Sequence, residues 1–160
     1  MPGWIWVGAV LILALALRLT YVFQVVGTSL VVPEDLDPGF YFNWAREIAA
    51  GDWLGKEPFV QSPLYAYLLG LFIRLAGAGL TPILVAQSIV GAGTVFLTYL
   101  AGRRYFDPTR GLLAALILAL YAPFIFYEGM VMKTFLSPFL TLALLLLLDK
   151  AREEIGRAHV

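Results

Sequence analysis

Charge divides this chain into long apolar runs and short polar breaks. No charged residue occurs in 1–17, 19–33, 75–102, 111–127 or 134–148. A membrane-crossing helix needs about 20 mostly apolar residues, with about 17 as a lower limit. The runs therefore predict spans over about 3–26, 82–101, 111–127 and 131–148. Pro123 is expected to kink the third span near its outer end. A further apolar run, 63–78, opens well, with Ser62 suited to the N-cap and Pro63 to the first turn. It is only about 16 residues long and carries Arg74, which predicts a short re-entrant or interfacial helix, a fifth span being the alternative. The first run has no basic start, outruns a typical signal core and lacks a small-x-small cleavage site, so it is expected to be a retained helix. Trp4 and Trp6 in it suit an aromatic belt at the headgroups.

Composition agrees with this pattern. Of 160 residues, 61% are hydrophobic and 14% charged, and the mean hydropathy is +0.83. Soluble domains are about 45–50% apolar and about 25% charged, so an ordinary globular or disordered chain is excluded. The expected fold class is an all-α integral membrane protein with four transmembrane helices. Eleven bases balance eleven acids, so no net field attracts nucleic acid. There is no cysteine, which excludes disulfides, thiolate metal sites and cysteine nucleophiles. Segment 103–110 holds Arg103, Arg104 and Arg110, and the tail holds Lys150 and Arg152; both are expected on the cytoplasmic side. Loop 27–62 carries six acids against two bases and is expected outside, with Met1 inside.

The external loop, 27–81, holds the candidate chemistry. Asp37–Pro38 is a good helix start, with Asp37 placed to cap free N–H groups. From there Tyr41, Trp44, Ala45 and Ile48 share one face and Asn43, Arg46, Glu47 and Ala50 the other, until Gly51 ends the helix. This predicts an amphipathic interfacial helix. Glu34, Asp35 and Asp37 would stand at the membrane–water boundary. A carboxylate there can act as general base toward a hydroxyl arriving from water, while a lipid-linked partner approaches from the bilayer. The plainer alternative is that Asp37 only caps its helix.

The ordered segments LDPGFYFNWAREIAAGDW, QSPLYAYLLGL, VAQSIVGAGTVFLTYLAGRRYF and ALYAPFIFYEGMVMKT, from about Leu36 to Thr134, resemble the N-terminal part of bacterial glycosyltransferase family 39-like proteins. These are relatives of protein O-mannosyltransferases and lipid A aminoarabinose transferases, within the C-type fold of membrane glycosyltransferases. The resemblance implies a hexosyltransferase-type enzyme of the plasma (inner) membrane. It would pass a sugar, with inversion, from a polyprenyl-phosphate donor to a protein, lipid or glycan acceptor on the outer face. Asp37 matches the family's presumed base, since the acid stands just before the Tyr–x–x–Trp–Ala helix. Stabilising the leaving lipid phosphate calls for cations or a divalent metal; the candidate cations are Arg46, Lys133 and Arg18. Aminoarabinose-transferase relatives carry an acid and a base immediately before Pro63, where this chain has Gln61 and Ser62, so no metal or phosphate contact is expected there.

Each remaining charge has two readings. Arg18, inside the first span, either snorkels from its outer half or faces protein, water or a phosphate. Glu128 and Lys133 either polarise a hairpin turn or face the same external cavity as Asp37. The rival class is a non-enzymatic multi-span protein, a transporter subunit or assembly partner, which would spread polar residues along its inner helix faces. Here Gln87, Ser88, Thr94 and Thr98 fall in one helix and the other polar residues gather at the external ends. Family members run to several hundred residues, so residues 1–153 are expected to be an N-terminal part, inactive alone. Residues 154–160, EIGRAHV, are encodable by a sequencing-library adapter and are expected to be non-native; His159 is given no role.

Overall fold

A computed structural model describes residues 3–32, 36–54 and 59–158. Among them all regular structure is helical: α1 (Trp4–Val25), α2 (Asp37–Ala50), α3 (Pro63–Ala76), α4 (Leu80–Tyr105), α5 (Pro108–Ala119), α6 (Ala122–Glu128) and α7 (Leu136–Ala158), with a single 3-10 turn at Lys133–Phe135. Helices α1 and α4 are long and apolar enough to cross a membrane, and so is the stretch from Lys133 into α7. Helices α5 and α6 make a fourth candidate span, broken by a 57° bend. The all-α, multi-span class is therefore as the charge pattern predicts.

The differences lie at the ends and the break. Helix α4 runs to Tyr105, past its apolar core; at that end Arg104 reaches Asp149 and Arg103 lies over the Trp4 ring. The third span parts at Leu120 and Tyr121, and Pro123 opens the second piece instead of kinking a continuous helix. That placement follows from proline's chemistry, which suits a first turn and breaks an interior one. The fourth span begins as the 3-10 turn and becomes α-helical only at Leu136.

Helices α2 and α3 pack against each other. Gly70 makes this possible: a Cβ there would stand 2.8 Å from Ile48 Cγ2 and 3.0 Å from the Ala45 carbonyl. The predicted apolar face of α2 is thus buried through Tyr41, Ala45 and Ile48, with α3 as its cover. Gly51 ends α2 at φ 111°, a left-handed conformation that glycine adopts without strain. Helix α3, at 14 residues, is about 21 Å long and too short to cross about 30 Å of hydrocarbon.

Two buried clusters mark the ends of the bundle. One joins Val7, Ala14, Val95, Tyr99, Ala115 and Ala119. There Trp4 meets Tyr99 edge-on and Arg103 lies over Trp4. Arg104 reaches both Asp149 and Glu153, so the basic end of α4 sits beside the far end of α7. The other cluster joins the end of α1, α2, α3, the start of α4, Val131 and Phe135. The candidate site lies at this second end.

Candidate functional site

Asp37 is the first residue of α2, with Leu36 as the N-cap and no side-chain capping bond. The expected capping role is therefore corrected: a first-turn residue already has helical backbone, and its carboxylate turns away from the N–H groups a cap would meet. Instead Gln61 Nε2 donates to Asp37 Oδ1 at 3.3 Å. The other end of the same amide, Gln61 Oε1, accepts from Lys133 Nζ at 3.1 Å and from the Tyr41 hydroxyl at 3.4 Å. Lys133 Nζ also donates to Ser62 Oγ at 3.2 Å and lies 5.8 Å from the Tyr41 ring centroid. Ser62 is the N-cap of α3, yet its hydroxyl makes no capping bond and is given to the lysine instead. One anion, one cation and three neutral polar side chains thus meet where α2, α3 and the 3-10 turn converge.

A second, buried network fixes the turn that presents Lys133. Gln87 of α4 donates to the carbonyls of Glu128 (2.7 Å) and Met130 (2.9 Å) and accepts from the Tyr65 hydroxyl at 2.6 Å. Tyr65 packs edge-on against Tyr41 at 5.2 Å and against Phe135 at 5.7 Å. The Val131 amide donates to the Val31 carbonyl, tying the turn to the loop after α1. The buried Gln87 and Tyr65 side chains thus meet partners, as a low-dielectric interior favours, whereas Thr134 Oγ1 in the 3-10 turn is buried without one among the described residues.

Arg18 and Glu128 meet each other, away from this cluster. Arg18 Nε stands 2.6 Å from Glu128 Oε2, and both side chains are at most 2% exposed. Arg18 Nη1 also donates to the Ala14 carbonyl, and its guanidinium lies 5.8 Å from the Phe124 ring centroid. Arg46 is exposed on α2, over Phe42. Nine residues from Asp37, it is about 13 Å further along the helix. Of the five candidate residues, the structure brings Asp37 and Lys133 together, pairs Arg18 with Glu128, and leaves Arg46 apart. Glu34 and Asp35 lie outside the described residues. Among the described residues no three His, Cys, Asp or Glu side chains come together as metal ligands; the cation in this cluster is Lys133.

Sequence reasoning missed Gln61, Ser62, Tyr41 and Gln87 as organisers. The signal available was position: Gln61 and Ser62 are the last polar pair before the proline that starts α3. The rival transporter pattern also finds little support. Ser88, Thr94 and Thr98 bond carbonyls one turn back in their own helix, and Gln87 serves the turn, so none of them presents a polar path.

Helices of spanning length with a polar cluster at one end of the bundle define a multi-span membrane protein with a candidate site there. Residues 57–158 match the family model described as dolichyl-phosphate-mannose-protein mannosyltransferase. The chain belongs to this family of membrane glycosyltransferases, whose context is lipid and whose sugar donor is lipid-linked. The match contains Gln61, Ser62 and Lys133, while Asp37 and α2 precede it. No curated protein and no solved structure matches the chain.

Proposed function

We propose that this protein transfers a hexosyl group from a polyprenyl-phosphate carrier to an acceptor hydroxyl, with inversion, at the outer face of the plasma membrane. The observation that supports this most is the pair of opposite charges held at the two ends of the Gln61 amide. Asp37 accepts the proton of the acceptor hydroxyl as its oxygen attacks the anomeric carbon. The bond from that carbon to the phosphate oxygen breaks on the opposite face, which inverts the centre. The electron pair leaves on the lipid phosphate, whose charge Lys133 balances. Arg18 and Glu128, committed to each other, fasten α1 to α6 and touch neither reactant. Orientation is supported by the opposite, arginine-rich end of the bundle, which the positive-inside rule assigns to the cytoplasm.

Binding tests the reading directly. The chain in phosphatidylcholine nanodiscs is expected to bind polyprenyl phosphate, and Lys133→Met to weaken that binding about tenfold, as loss of one close charge contact to the phosphate should. Equal affinity of the two proteins would remove Lys133 from the donor site.

A further inference from the structure

The Gln61 side chain does more than fill the gap between two charged groups. An ammonium and a carboxylate that share one short amide are close enough to collapse onto each other. A direct pair would disable both: the carboxylate would no longer accept from an incoming hydroxyl, and the ammonium would no longer face a phosphate. Gln61 prevents this with one neutral group of two polarities, its oxygen toward Lys133 and its nitrogen toward Asp37. Lys133, which can only donate, and the Asp37 carboxylate, which can only accept, fix the amide's sense; the Tyr41 hydroxyl donates to the same oxygen, and Ser62 takes a second ammonium hydrogen. An ammonium has three N–H donors, and among the described residues two are taken, which leaves one for an anion. Among the described residues Asp37 Oδ2 has no hydrogen-bond partner, which leaves it open to a hydroxyl.

We propose that Gln61 is a positioning residue, a neutral spacer that holds Asp37 and Lys133 apart so that the lysine can bind a lipid phosphate while the aspartate stays free. This rests on the donor reading given above, and the experiment separates the two. A glutamate at this position would keep the length and lose the neutrality. An alanine would remove the spacer and let the charges meet.

The measurement is the dissociation constant of the full chain for polyprenyl phosphate in phosphatidylcholine nanodiscs, read by native mass spectrometry, with circular dichroism as the check on folding. Gln61→Glu is expected to weaken binding about tenfold, because its carboxylate takes the ammonium. Gln61→Ala is expected to weaken it about fivefold, as Lys133 turns to Asp37. Adding Asp37→Asn to Gln61→Ala should then restore affinity to within about twofold of the unsubstituted chain, since the competing anion is gone. A merely structural glutamine would give no such rescue. If the double variant stays as weak as Gln61→Ala, or if Gln61→Ala binds as well as the unsubstituted chain while Lys133→Met does not, the spacer is overturned and the donor site stands. If Lys133→Met itself binds normally, the donor reading falls and the spacer falls with it.

Discussion

Asp37 owes its setting to a single step in register. One residue earlier it would cap α2 and spend its oxygens on backbone N–H groups; as the first helical residue it bonds the Gln61 amide instead. In a full-length version of the protein, Asp37→Asn, nearly isosteric, is expected to lower sugar transfer by about 10²–10⁴-fold, the range of a lost general base. Polyprenyl-phosphate binding should stay within about twofold, because the phosphate meets Lys133. Transfer at the original rate would end the catalytic assignment. Asp107 provides the contrast of a true cap. Its Oδ1 accepts from the N–H groups of Thr109 (2.8 Å) and Arg110 (2.9 Å). The Arg110 N–H bond first, then that of Thr109 and the Arg110 charge, hold its carboxyl below the usual range. A depressed carboxyl stabilises the fold above its unfolded value, about 3.9, and loses that contribution as pH falls through the lower folded value. The melting temperature of Asp107→Asn should therefore trail the unsubstituted chain at pH 6 and converge with it as pH drops below about 4. A gap that widens on acidification would contradict the sign. Both Asp37 and Lys133 were legible as candidates, because charges are rare and conspicuous here. Gln61 was not, since neutral polar residues are ordinary in loops and nothing local says that Lys133, 72 residues away, would reach it.

Helices α1 and α6 are joined by a buried ion pair for which α4 makes room. A Cβ at Gly91 would fall onto the Glu128 carboxylate. Removing one partner strands the other charge in an apolar setting, so Glu128→Ala is expected to cost about 3–5 kcal/mol. The double variant Arg18→Met/Glu128→Met should recover most of that loss, because no charge then remains buried. Unfolding in mixed detergent micelles measures both, and a double variant as weak as the single would show that the pair does more than anchor. At this scale much was readable. Uncharged runs give the helices because a bilayer tolerates little else, and the period of α2 gives its buried face. The cover on that face was not readable: a surface suited to headgroups is equally suited to a second helix, and the deciding feature is the missing side chain at Gly70. The bend expected near Pro123 is there, but its form, a full break at Leu120 and Tyr121, was not readable for a related reason. Proline marks a discontinuity without telling whether it kinks a helix or begins one.

The whole molecule has two unlike ends, one rich in arginine and one holding the Asp37–Lys133 cluster. Because the chain has no cysteine, single cysteines report each end without background. In intact cells a membrane-impermeant maleimide is expected to label Leu54→Cys and to spare Phe106→Cys until the membrane is opened. Both positions are well exposed, at 82% and 70%. The reverse pattern would turn the protein over and end the proposed outer-face chemistry. The ion pair that clasps α6 and the amide that bridges the cluster also set an order of events during synthesis. Lys133 stands at the threshold of α7, so the acidic loop emerges and waits without its counter-charge while three hydrophobic stretches are threaded into the bilayer. In the orientation proposed above, the pocket can close only when Lys133 has followed the last of them, and a half-made chain would lack the cation of the cluster.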